Sequence, residues 1–352
     1  MERKLMKGNE IIGASAIMAG CRFFAGYPIT PQNEVPEYMS SALPKVGGTF
    51  VQAESEVAAI NMIYGAAAAG IRAMTSSSSP GIALKQEGIT YIAAAELPCV
   101  IVNVMRGGPG LGGIQPSQAD YFQCTRGGGN GDYNVICYAP ANLQELSDLM
   151  QIAFETADYY RNPAMIVADG MLGQMMEAVE LNPCKKQRSL PAKDWAVSGT
   201  KGKRPPNIIN TVFLDPDVLE GINRNLQKKY AVIRQEEQLW DTYHLENADV
   251  ICVAYGTTSR IVKSAIKILE EEGIRVGLVR PITLWPFPQK AFENLPSTAK
   301  SILVVEMSEG QMVEDVRLAV NGKLPVDFYG RSGGVIPSPD EIIDRIKGLK
   351  GE

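Results

Sequence analysis

Runs of consecutive apolar residues constrain this fold more than any other feature of the sequence. The clearest run covers residues 98–104, PCVIVNV, in which apolar side chains point to both faces of a predicted strand. A strand of this kind is typical of a parallel sheet that is covered by helices on both sides. Such strands alternate with helix-length segments from residue 22 onward, which predicts an open parallel α/β sheet that binds ligands at the carboxyl ends of its strands.

The alternation of elements occurs in two series. The predicted strands are 22–26, 49–53, 71–76, 98–105, 133–138 and 163–168, followed by 249–255, 275–280, 302–307 and 326–329. The predicted helices are 7–20, 32–42, 56–69, 81–95, 142–160, 258–272, 310–320 and 339–348, with a polar helix over 215–245. The intervening segment is basic, rich in proline and without periodicity, as expected of a linker. We therefore predict domains at 1–180 and 246–352, with residues 181–245 between them.

Composition and charge argue against several classes of protein. The net charge is -5 and the basic residues form no long stripe, so nucleic-acid binding is not expected. No apolar run approaches the roughly 20 residues of a membrane span, and the N-terminus lacks a signal-peptide pattern, so the expected location is the cytoplasm. The six cysteines include no CxxC pair, which argues against a zinc or iron–sulfur site in this chain alone. The one histidine, His244, lies in the predicted polar helix and is a poor candidate for a catalytic triad.

A rigid elbow at residues 27–31, YPITP, follows the first predicted strand. Its two prolines prevent both a helix and a continued central strand. Pro31 is predicted to occupy the first position of a helix that runs toward Met39, which places the Thr30 hydroxyl at the helix N-terminus. That hydroxyl either caps the helix or binds an anion, and both interpretations stay open.

Glu54 and Glu56 lie where a predicted strand leads into the apolar helix 56–69. Because nearly every later residue of this helix is apolar or small, we predict that it is buried all round. Burial favours a neutral carboxyl group and the helix N-terminus favours the anion, and this conflict is typical of groups that transfer protons. The alternative is that both are ordinary acids of a first helical turn.

Two further segments offer ligand contacts. Residues 75–81, TSSSSPG, join a strand to a helix, and their hydroxyl and amide groups can hold a polar ligand unless the segment is only a flexible loop. Arg106 leaves a buried strand beside glycines, which suits bidentate capture of a carboxylate, with a salt bridge to a helix as the alternative. The glycines of 107–113 match a dinucleotide spacing, but no apolar helix follows them, so the nucleotide interpretation is disfavoured. The basic glycine-rich loop 126–131 can cover a site.

Together these motifs resemble the alpha-type subunits of the 2-oxoacid:ferredoxin oxidoreductase family. The resemblance rests on residues 27–31, on Glu54 to Glu56 before an alanine- and glycine-rich helix, on residues 106–109, RGGP, and on residues 280–288, RPITLWPFP. It spans nearly the whole chain and is strongest for the branched-chain type, which acts on 2-oxoisovalerate (3-methyl-2-oxobutanoate). The alternative substrates are 2-oxoglutarate and pyruvate.

The resemblance implies an enzyme of anaerobic metabolism that uses thiamine diphosphate. Such an enzyme oxidatively decarboxylates a 2-oxoacid to an acyl-CoA and CO2, with coenzyme A as co-substrate, and reduces ferredoxin. Residues 1–180 would form the α/β domain that binds the cofactor's pyrimidine ring, and residues 246–352 would form an α/β domain like the C-terminal domain of transketolase. In such a domain pair the pyrimidine-binding domain carries half of the active site.

The resemblance also implies roles for individual residues. Glu56 would be catalytic, because it would hydrogen-bond the aminopyrimidine ring and promote its imino form. Thr30 and Arg106 would hold the carboxylate of the 2-oxoacid. The remaining implied contacts to the cofactor come from Pro28, Ile29 and Ser78.

The rest of the cofactor site is expected on partner chains. Thiamine enzymes hold the diphosphate and Mg2+ with a Gly-Asp-Gly segment and a later Asn, and the segment Ala168-Asp169-Gly170 lacks that Asn. We interpret Asp169 as the polar end of the last strand of the first domain, and residues 280–288 as a packing elbow. No metal is therefore expected in this chain. The resemblance implies a hetero-oligomer with a beta-type subunit that binds thiamine diphosphate and Mg2+, a gamma-type subunit and a ferredoxin-like subunit, with a [4Fe-4S] cluster on the partners. The competing hypotheses are a non-catalytic assembly subunit and a nucleotide-dependent dehydrogenase.

Overall fold

The computed structural model describes residues 3–183 and 188–350, so Cys184 and the basic residues 185 and 186 of the predicted linker lie outside the described residues. The strands are β1 Lys4–Lys7, β2 Phe23–Gly26, β3 Thr49–Gln52, β4 Ala73–Ser77, β5 Val100–Met105, β6 Ile136–Tyr138, β7 Ala164–Asp169, β8 Met176–Val179, β9 Trp240–Tyr243, β10 Val250–Val253, β11 Val276–Pro281, β12 Thr283–Trp285, β13 Ser301–Glu306 and β14 Val326–Gly330. The α-helices are α1 Gly8–Met18, α2 Glu34–Ala42, α3 Glu56–Ala68, α4 Ser79–Ala94, α5 Tyr121–Thr125, α6 Leu143–Tyr160, α7 Gly170–Gln174, α8 Pro216–Glu236, α9 Thr258–Glu271, α10 Met312–Val320 and α11 Pro339–Lys350.

A seven-stranded sheet forms the first half of the chain, with the strand order β12-β6-β7-β5-β4-β2-β3. All its strands are parallel except β12, which pairs with β6 in the antiparallel direction. On β5, Val100, Val102 and Val104 face a core formed with α1, α2 and α6, whereas Ile101 and Met105 face a core formed with α3 and α4. This burial of both faces confirms the predicted α/β fold class.

The second half of the chain contains a five-stranded sheet in the order β14-β13-β10-β11-β9, which is parallel except at β9. On β10, Val250 and Cys252 face a core with α9 and α11. The opposite face, with Ile251 and Val253, joins the same apolar core as α3 and α4 of the first half. The two sheets are therefore packed through a shared core.

The segment 280–288 joins the two halves. Arg280 is buried, and its Nη1 and Nη2 donate hydrogen bonds to the two carboxylate oxygens of Glu145 on α6, at 3.0 and 2.9 Å. Directly afterwards, β12 pairs with β6, with Thr283 opposite Tyr138. Because residues 283–285 complete the first sheet, the sheets do not divide at one point in the chain, and the predicted domain limits stay a prediction.

Several local predictions were wrong. The polar helix predicted to reach residue 245 ends at Glu236, because Trp240–Tyr243 alternates in exposure and pairs with β11 as β9. His244 follows this strand with a φ of 47° and is not in a helix. The short sheet of β1 and β8 was also missed, so Asp169 does not end the last strand of its half. Within the described ranges, no helix has both the length and the apolar character needed to cross a bilayer.

Candidate active site

Four neighbouring strands of the large sheet bring the sequence-predicted site residues to one edge. The strands β5, β4, β2 and β3 are adjacent and parallel. Arg106 directly follows β5, Ser78 follows β4, Thr30 lies four residues beyond β2, and Glu56 begins α3 after β3. Carboxyl ends of parallel strands form the usual ligand-binding edge of such a sheet.

The elbow after β2 differs in detail from the prediction. Thr30-Pro31 is a cis peptide, and α2 begins only at Glu34, so Pro31 is not the first helical residue and Thr30 is not its cap. The physical reason is that the Pro31 carbonyl already accepts a hydrogen bond from Asn9 Nδ2, at 2.8 Å, and another from Gln174 Nε2, at 3.0 Å. The Thr30 side chain is exposed at the rim, as is Pro28, while Ile29 is half-buried.

Gln32 connects the elbow at residues 27–31 to strand β4 by hydrogen bonds. Its side chain is fully buried, and its Oε1 accepts a hydrogen bond from the Ser76 hydroxyl on β4 at 2.5 Å. Gln32 Nε2 in turn donates to the Tyr27 carbonyl at 3.5 Å. The strand β4 therefore fixes the loop that carries Thr30.

Glu56 is the first residue of α3, and Ser55 caps that helix by accepting a hydrogen bond from the Ala58 amide at 3.1 Å. The Glu56 side chain is 7% exposed, and none of the described residues donates a hydrogen bond to its carboxylate at hydrogen-bonding distance, whereas Glu54 is exposed. Its Oε1 lies 2.8 Å from the position that a Cβ on Gly81 of α4 would occupy. Because the Glu56 carboxylate accepts no hydrogen bond from the described residues, it is available to accept one from a ligand.

The prediction that α3 is buried all round was wrong. Val57 is 43% exposed, and Asn61 and Gly65, on the same face one and two turns further on, are exposed as well. On the neighbouring helix α4, Leu84 is 55% exposed. The apolar composition of the helix predicted that other parts of this chain bury it. These exposed positions are instead open to contact with another molecule.

The serine-rich segment is folded into the site rather than being a flexible loop. The hydroxyl groups of Ser77 and Ser78 are buried and have no hydrogen-bond partner among the described residues. Ser79 begins α4, and its hydroxyl donates to Asp120 Oδ2 at 2.5 Å. Two orphaned buried hydroxyls beside Glu56 provide polar groups for a ligand.

Arg106 is 7% exposed, and it forms no salt bridge with the described residues, which was the alternative interpretation from the sequence. Its Nη1 donates to the Thr30 carbonyl and its Nη2 to the Leu111 carbonyl, both at 2.9 Å. Its Nε is buried and has no hydrogen-bond partner among the described residues. The guanidinium group is thus oriented by two carbonyls and keeps donor capacity for an anion next to Thr30.

The glycine-rich segment after Arg106 shapes a loop and not a nucleotide-binding turn. Gly112 has a φ of 59°, and a Cβ there would lie 1.8 Å from the Gly107 carbonyl oxygen, so only glycine fits. Arg106 pairs with Pro116 in an isolated bridge, and the next helix, α5, starts only at Tyr121. The disfavoured dinucleotide interpretation is not supported by this geometry.

A polar network behind Arg106 was missed by sequence reasoning. Asn103 on β5 donates from Nδ2 to Asp120 Oδ2 at 2.9 Å and accepts from the Ser79 amide at 3.1 Å, while the Ser79 hydroxyl accepts from the Arg106 amide at 3.0 Å. Burial raises the pKa of Asp120, against the effect of these hydrogen bonds. The available signal was Asn103 itself, which interrupts an otherwise apolar strand.

Other predicted features have structural roles. The Asp169 carboxylate caps α7 by accepting from the Met171 and Leu172 amides at 2.9 and 3.1 Å, and it also accepts from the Thr257 hydroxyl. Arg126 of the second glycine-rich loop pairs with Asp315 on α10 at 3.2 Å. Among residues 3–183 and 188–350, no three His, Cys, Asp or Glu side chains form a group that could hold a metal ion.

An apolar cavity of about 520 Å³ opens beside Thr30. Its lining consists of Thr30, Pro31, Ile114, Gln115, Pro116, Gly170, Met171, Gln174 and Ile336. None of these lining residues is charged. The cavity is thus suited to an aliphatic group attached to whatever binds between Thr30 and Arg106.

Comparisons with known proteins agree with this geometry. Residues 14–238 match the family described as "Pyruvate flavodoxin/ferredoxin oxidoreductase, thiamine diP-bdg", and residues 248–342 match "Pyruvate:ferredoxin oxidoreductase core domain II". The ketoisovalerate oxidoreductase subunit VorB of Methanothermobacter marburgensis is 48% identical over 352 residues, which cover 100% of this chain and 99% of that subunit. The 2-oxoglutarate synthase subunit KorA of Methanocaldococcus jannaschii is 37% identical over 371 residues, covering 97% and 98% of the two chains.

Solved structures agree as well. The 2-oxoglutarate:ferredoxin oxidoreductase from Magnetococcus marinus, with 2-oxoglutarate, coenzyme A and succinyl-CoA bound, superposes with a TM-score of 0.87 at 28% identity. The match covers 99% of this chain and 65% of that longer chain. A split gene transketolase superposes with a TM-score of 0.59 at 12% identity over 97% of each chain, which shows likeness of fold alone.

Proposed function

Because this chain belongs to the 2-oxoacid:ferredoxin oxidoreductase family as an alpha-type subunit, we propose that it supplies the pyrimidine-binding half of a thiamine diphosphate site in a branched-chain 2-oxoacid:ferredoxin oxidoreductase. The complex converts 2-oxoisovalerate and coenzyme A to an acyl-CoA and CO2 and passes the electrons to ferredoxin. The observation that carries the proposal is the largely buried Glu56 side chain, whose carboxylate accepts no hydrogen bond from the described residues, at the same sheet edge as Arg106 and Thr30.

The residues present fit the aminopyrimidine part of the cofactor. Glu56 offers an acceptor to a protonated ring nitrogen, the orphaned Ser78 hydroxyl offers a further hydrogen bond, and the elbow with Pro28 and Ile29 borders the same edge. When bound, thiamine diphosphate supplies the carbon nucleophile and the electron sink for decarboxylation. In this site Glu56 shares a proton with the ring nitrogen, which lets the exocyclic amine serve as a base.

Arg106 and Thr30 hold the carboxylate of the 2-oxoacid in this proposal. The two carbonyls that accept from Arg106 fix the plane of its guanidinium group before substrate arrives, so little side-chain freedom is lost on binding. The network of Asn103, Ser79 and Asp120 holds the main chain at Arg106 in place. A preorganised cation near the carboxylate orients the keto carbon toward the cofactor.

The apolar cavity beside Thr30 favours a branched-chain acid over 2-oxoglutarate. Ile114, Met171 and Ile336 surround the space that the substrate side chain would enter. Because none of the residues lining this cavity is basic, a second carboxylate would be desolvated there without a counter-charge. The high identity to VorB, which is named for ketoisovalerate, supports the same substrate.

The diphosphate, Mg2+ and the [4Fe-4S] cluster reside on partner subunits in this proposal. The five described cysteines are buried and unpaired, and they show no cluster-binding arrangement in the part of the chain that is described. The exposed apolar faces of α3 and α4, with Val57 and Leu84, border the Glu56 side of the site. A beta-type subunit that carries diphosphate and Mg2+ covers these faces, and gamma-type and ferredoxin-like subunits complete a hetero-oligomer in the cytoplasm.

The proposal is tested on the complex purified with its natural partners. We expect anaerobic, coenzyme A-dependent viologen reduction to be fastest with 2-oxoisovalerate when 2-oxoglutarate and pyruvate are compared alongside it. Glu56→Gln should lower turnover by at least about 100-fold while the complex still assembles, because one essential proton acceptor is lost. The matched control Glu54→Gln changes an exposed carboxylate two residues away and should retain normal turnover.

Each outcome has a distinct meaning. If viologen reduction is fastest with another of the three acids, the proposed mechanism stands and the proposed substrate is wrong. Normal turnover by Glu56→Gln contradicts the catalytic assignment. If an intact complex loaded with cofactor and cluster reduces viologen with none of the three acids, the non-catalytic assembly role takes the place of the proposed function.

A further inference from the structure

A fully buried lysine lies beneath the site and has no part in the mechanism described above. Lys85 is on α4, one turn beyond Gly81, and its side chain is 0% exposed. Its Nζ donates to the Thr75 hydroxyl at 2.9 Å and to the Ser76 carbonyl at 3.0 Å, both on β4. Lysine is among the residues least often buried without a charged partner, so its position calls for a reason.

Glu56 is the charged group whose field reaches Lys85, although the two side chains form no ion pair within 4.0 Å in the described part of the chain. The burial of Lys85 lowers the pKa of its ammonium group to about 7, and the carboxylate of Glu56 acts in the opposite direction. Gly81 is in contact distance of Glu56 Oε1, and Lys85 projects from the next turn of the same helix. On β4, Lys85 donates hydrogen bonds only to uncharged oxygen atoms, those of Thr75 and Ser76.

The same lysine is connected to the elbow. Ser76, whose carbonyl accepts from Lys85, donates its hydroxyl hydrogen to Gln32, and Gln32 donates to the Tyr27 carbonyl. The amine of Lys85 thus contacts the strand that supports the Thr30 loop, and Lys85 lies one turn along α4 from Gly81, which borders the Glu56 carboxylate. An apolar side chain of similar size would fill this space without the cost of desolvating an amine, so packing alone does not account for the residue.

We propose that Lys85 is a positioning residue for Glu56: its buried ammonium group favours the anionic carboxylate and, through β4, fixes the spatial relation between Glu56 and the Thr30 elbow. The inference rests on the proposed function, in which Glu56 must accept a hydrogen bond from a protonated ring nitrogen. Lys85 itself touches neither substrate nor cofactor. It acts through the charge and placement of Glu56, and it moves no proton to the reacting atoms.

The electrostatic part is measured in the full chain without cofactor. The chain is labelled with 13C at lysine Cε, the Lys85 resonance is identified by its loss in Lys85→Met, and its chemical shift is followed with pH. Since the Glu56 carboxylate opposes the effect of burial, Glu56→Gln should lower the pKa of Lys85 by about one unit. The control Glu54→Gln removes an exposed carboxylate and should leave that pKa where it is.

The functional part is measured in the purified complex. Lys85→Met should weaken the circular dichroism signal of the imino form of bound thiamine diphosphate and lower kcat by about 10-fold, with little change in the KM for the 2-oxoacid. Lys85→Arg, which keeps the charge, should recover part of the signal. The control Lys229→Met replaces a partly buried lysine on α8, which pairs with Glu96, and should leave the signal unchanged.

The outcomes separate this inference from the proposed function. An unchanged pKa of Lys85 in Glu56→Gln, or a full imino signal in a folded Lys85→Met complex, overturns the role of Lys85 even if Glu56→Gln is inactive. If Lys85→Met fails to fold, the Lys85 resonance is identified by its loss in Lys85→Arg, and its titration in Glu56→Gln still decides the question. If Glu56→Gln lowers the pKa of Lys85 but leaves turnover normal, the catalytic assignment of Glu56 is refuted instead.

Discussion

Replacing Gly81 by alanine tests whether the carboxylate of Glu56 must stay where it lies. A Cβ on residue 81 would be 2.0 Å from Ser77 Oγ and 2.8 Å from Glu56 Oε1, so both side chains must move. To restore an ordinary contact, the Glu56 oxygen must withdraw by about 0.6 Å, and Ser77 must change its rotamer. The substitution thus displaces the functional atom without removing it.

The expected effect on activity is much larger than the effect on stability. A charge-assisted hydrogen bond is worth about 1.5–3 kcal/mol, so its misalignment should lower turnover by about 10- to 100-fold. Alanine in a helix is favoured over glycine by about 0.5–1 kcal/mol, and the rotamer change at Ser77 costs a similar amount. The free energy of unfolding should therefore change by less than about 1 kcal/mol.

The assays are anaerobic viologen reduction by the reconstituted complex and urea unfolding of the chain. The matched control is Gly221→Ala on α8, where nothing lies within 4 Å of the added Cβ, and it should gain about 0.5–1 kcal/mol of stability with normal turnover. Turnover by Gly81→Ala within a factor of two of the wild type would refute the reasoning. It would mean that the position of the Glu56 carboxylate is not critical.

Two further predictions concern stability. Burial lowers the pKa of Lys85 to about 7 from 10.5, so between these pH values the unfolded chain holds one more proton than the folded chain. Lys85 therefore makes the free energy of unfolding rise with pH there, by up to about 1.4 kcal/mol per pH unit. Urea unfolding at several pH values should show that Lys85→Met removes this rise, and an unchanged dependence of the unfolding free energy on pH would contradict the prediction. Arg280→Met should cost about 2 kcal/mol, because it strips the half-buried Glu145 carboxylate of two donors, whereas Arg224→Met, at the exposed pair with Glu220, should cost less than about 0.5 kcal/mol. Equal losses in urea unfolding would argue against a joining role for Arg280.

The order of strands and helices and the position of the site could be predicted because they follow from local patterns. Buried strands such as β5 are apolar on successive residues, and their ends mark the ligand-binding edge, so Glu56 and Arg106 could be identified as candidates before any coordinates. The start of α2 could not be placed, because it depends on hydrogen bonds from Asn9 and Gln174 to Pro31. Those partners are distant in sequence and carry no local signal.

The exposure of individual residues on apolar helices could not be predicted from the sequence either. The apolar sequence of α3 is the same whether Val57 packs inside the chain or lies open. Conversely, Lys85 was not identified as a candidate from the sequence, yet it is fully buried, and β4 presents oxygen atoms to its amine. A lysine among the apolar residues of a helix, such as Lys85 in α4, is therefore a useful signal that polar partners exist on a neighbouring strand.

The pairing of β12 with β6 also covers one backbone edge of the first sheet. Without residues 283–285, the backbone of β6 would present an unpaired edge of a parallel sheet to solvent, which is a template for pairing with other chains. The later half of the chain supplies the strand that closes this edge. The β6 edge is thus covered only after residues more than a hundred positions downstream have been synthesised and docked, whereas β3 remains the outer strand on the opposite side of the sheet.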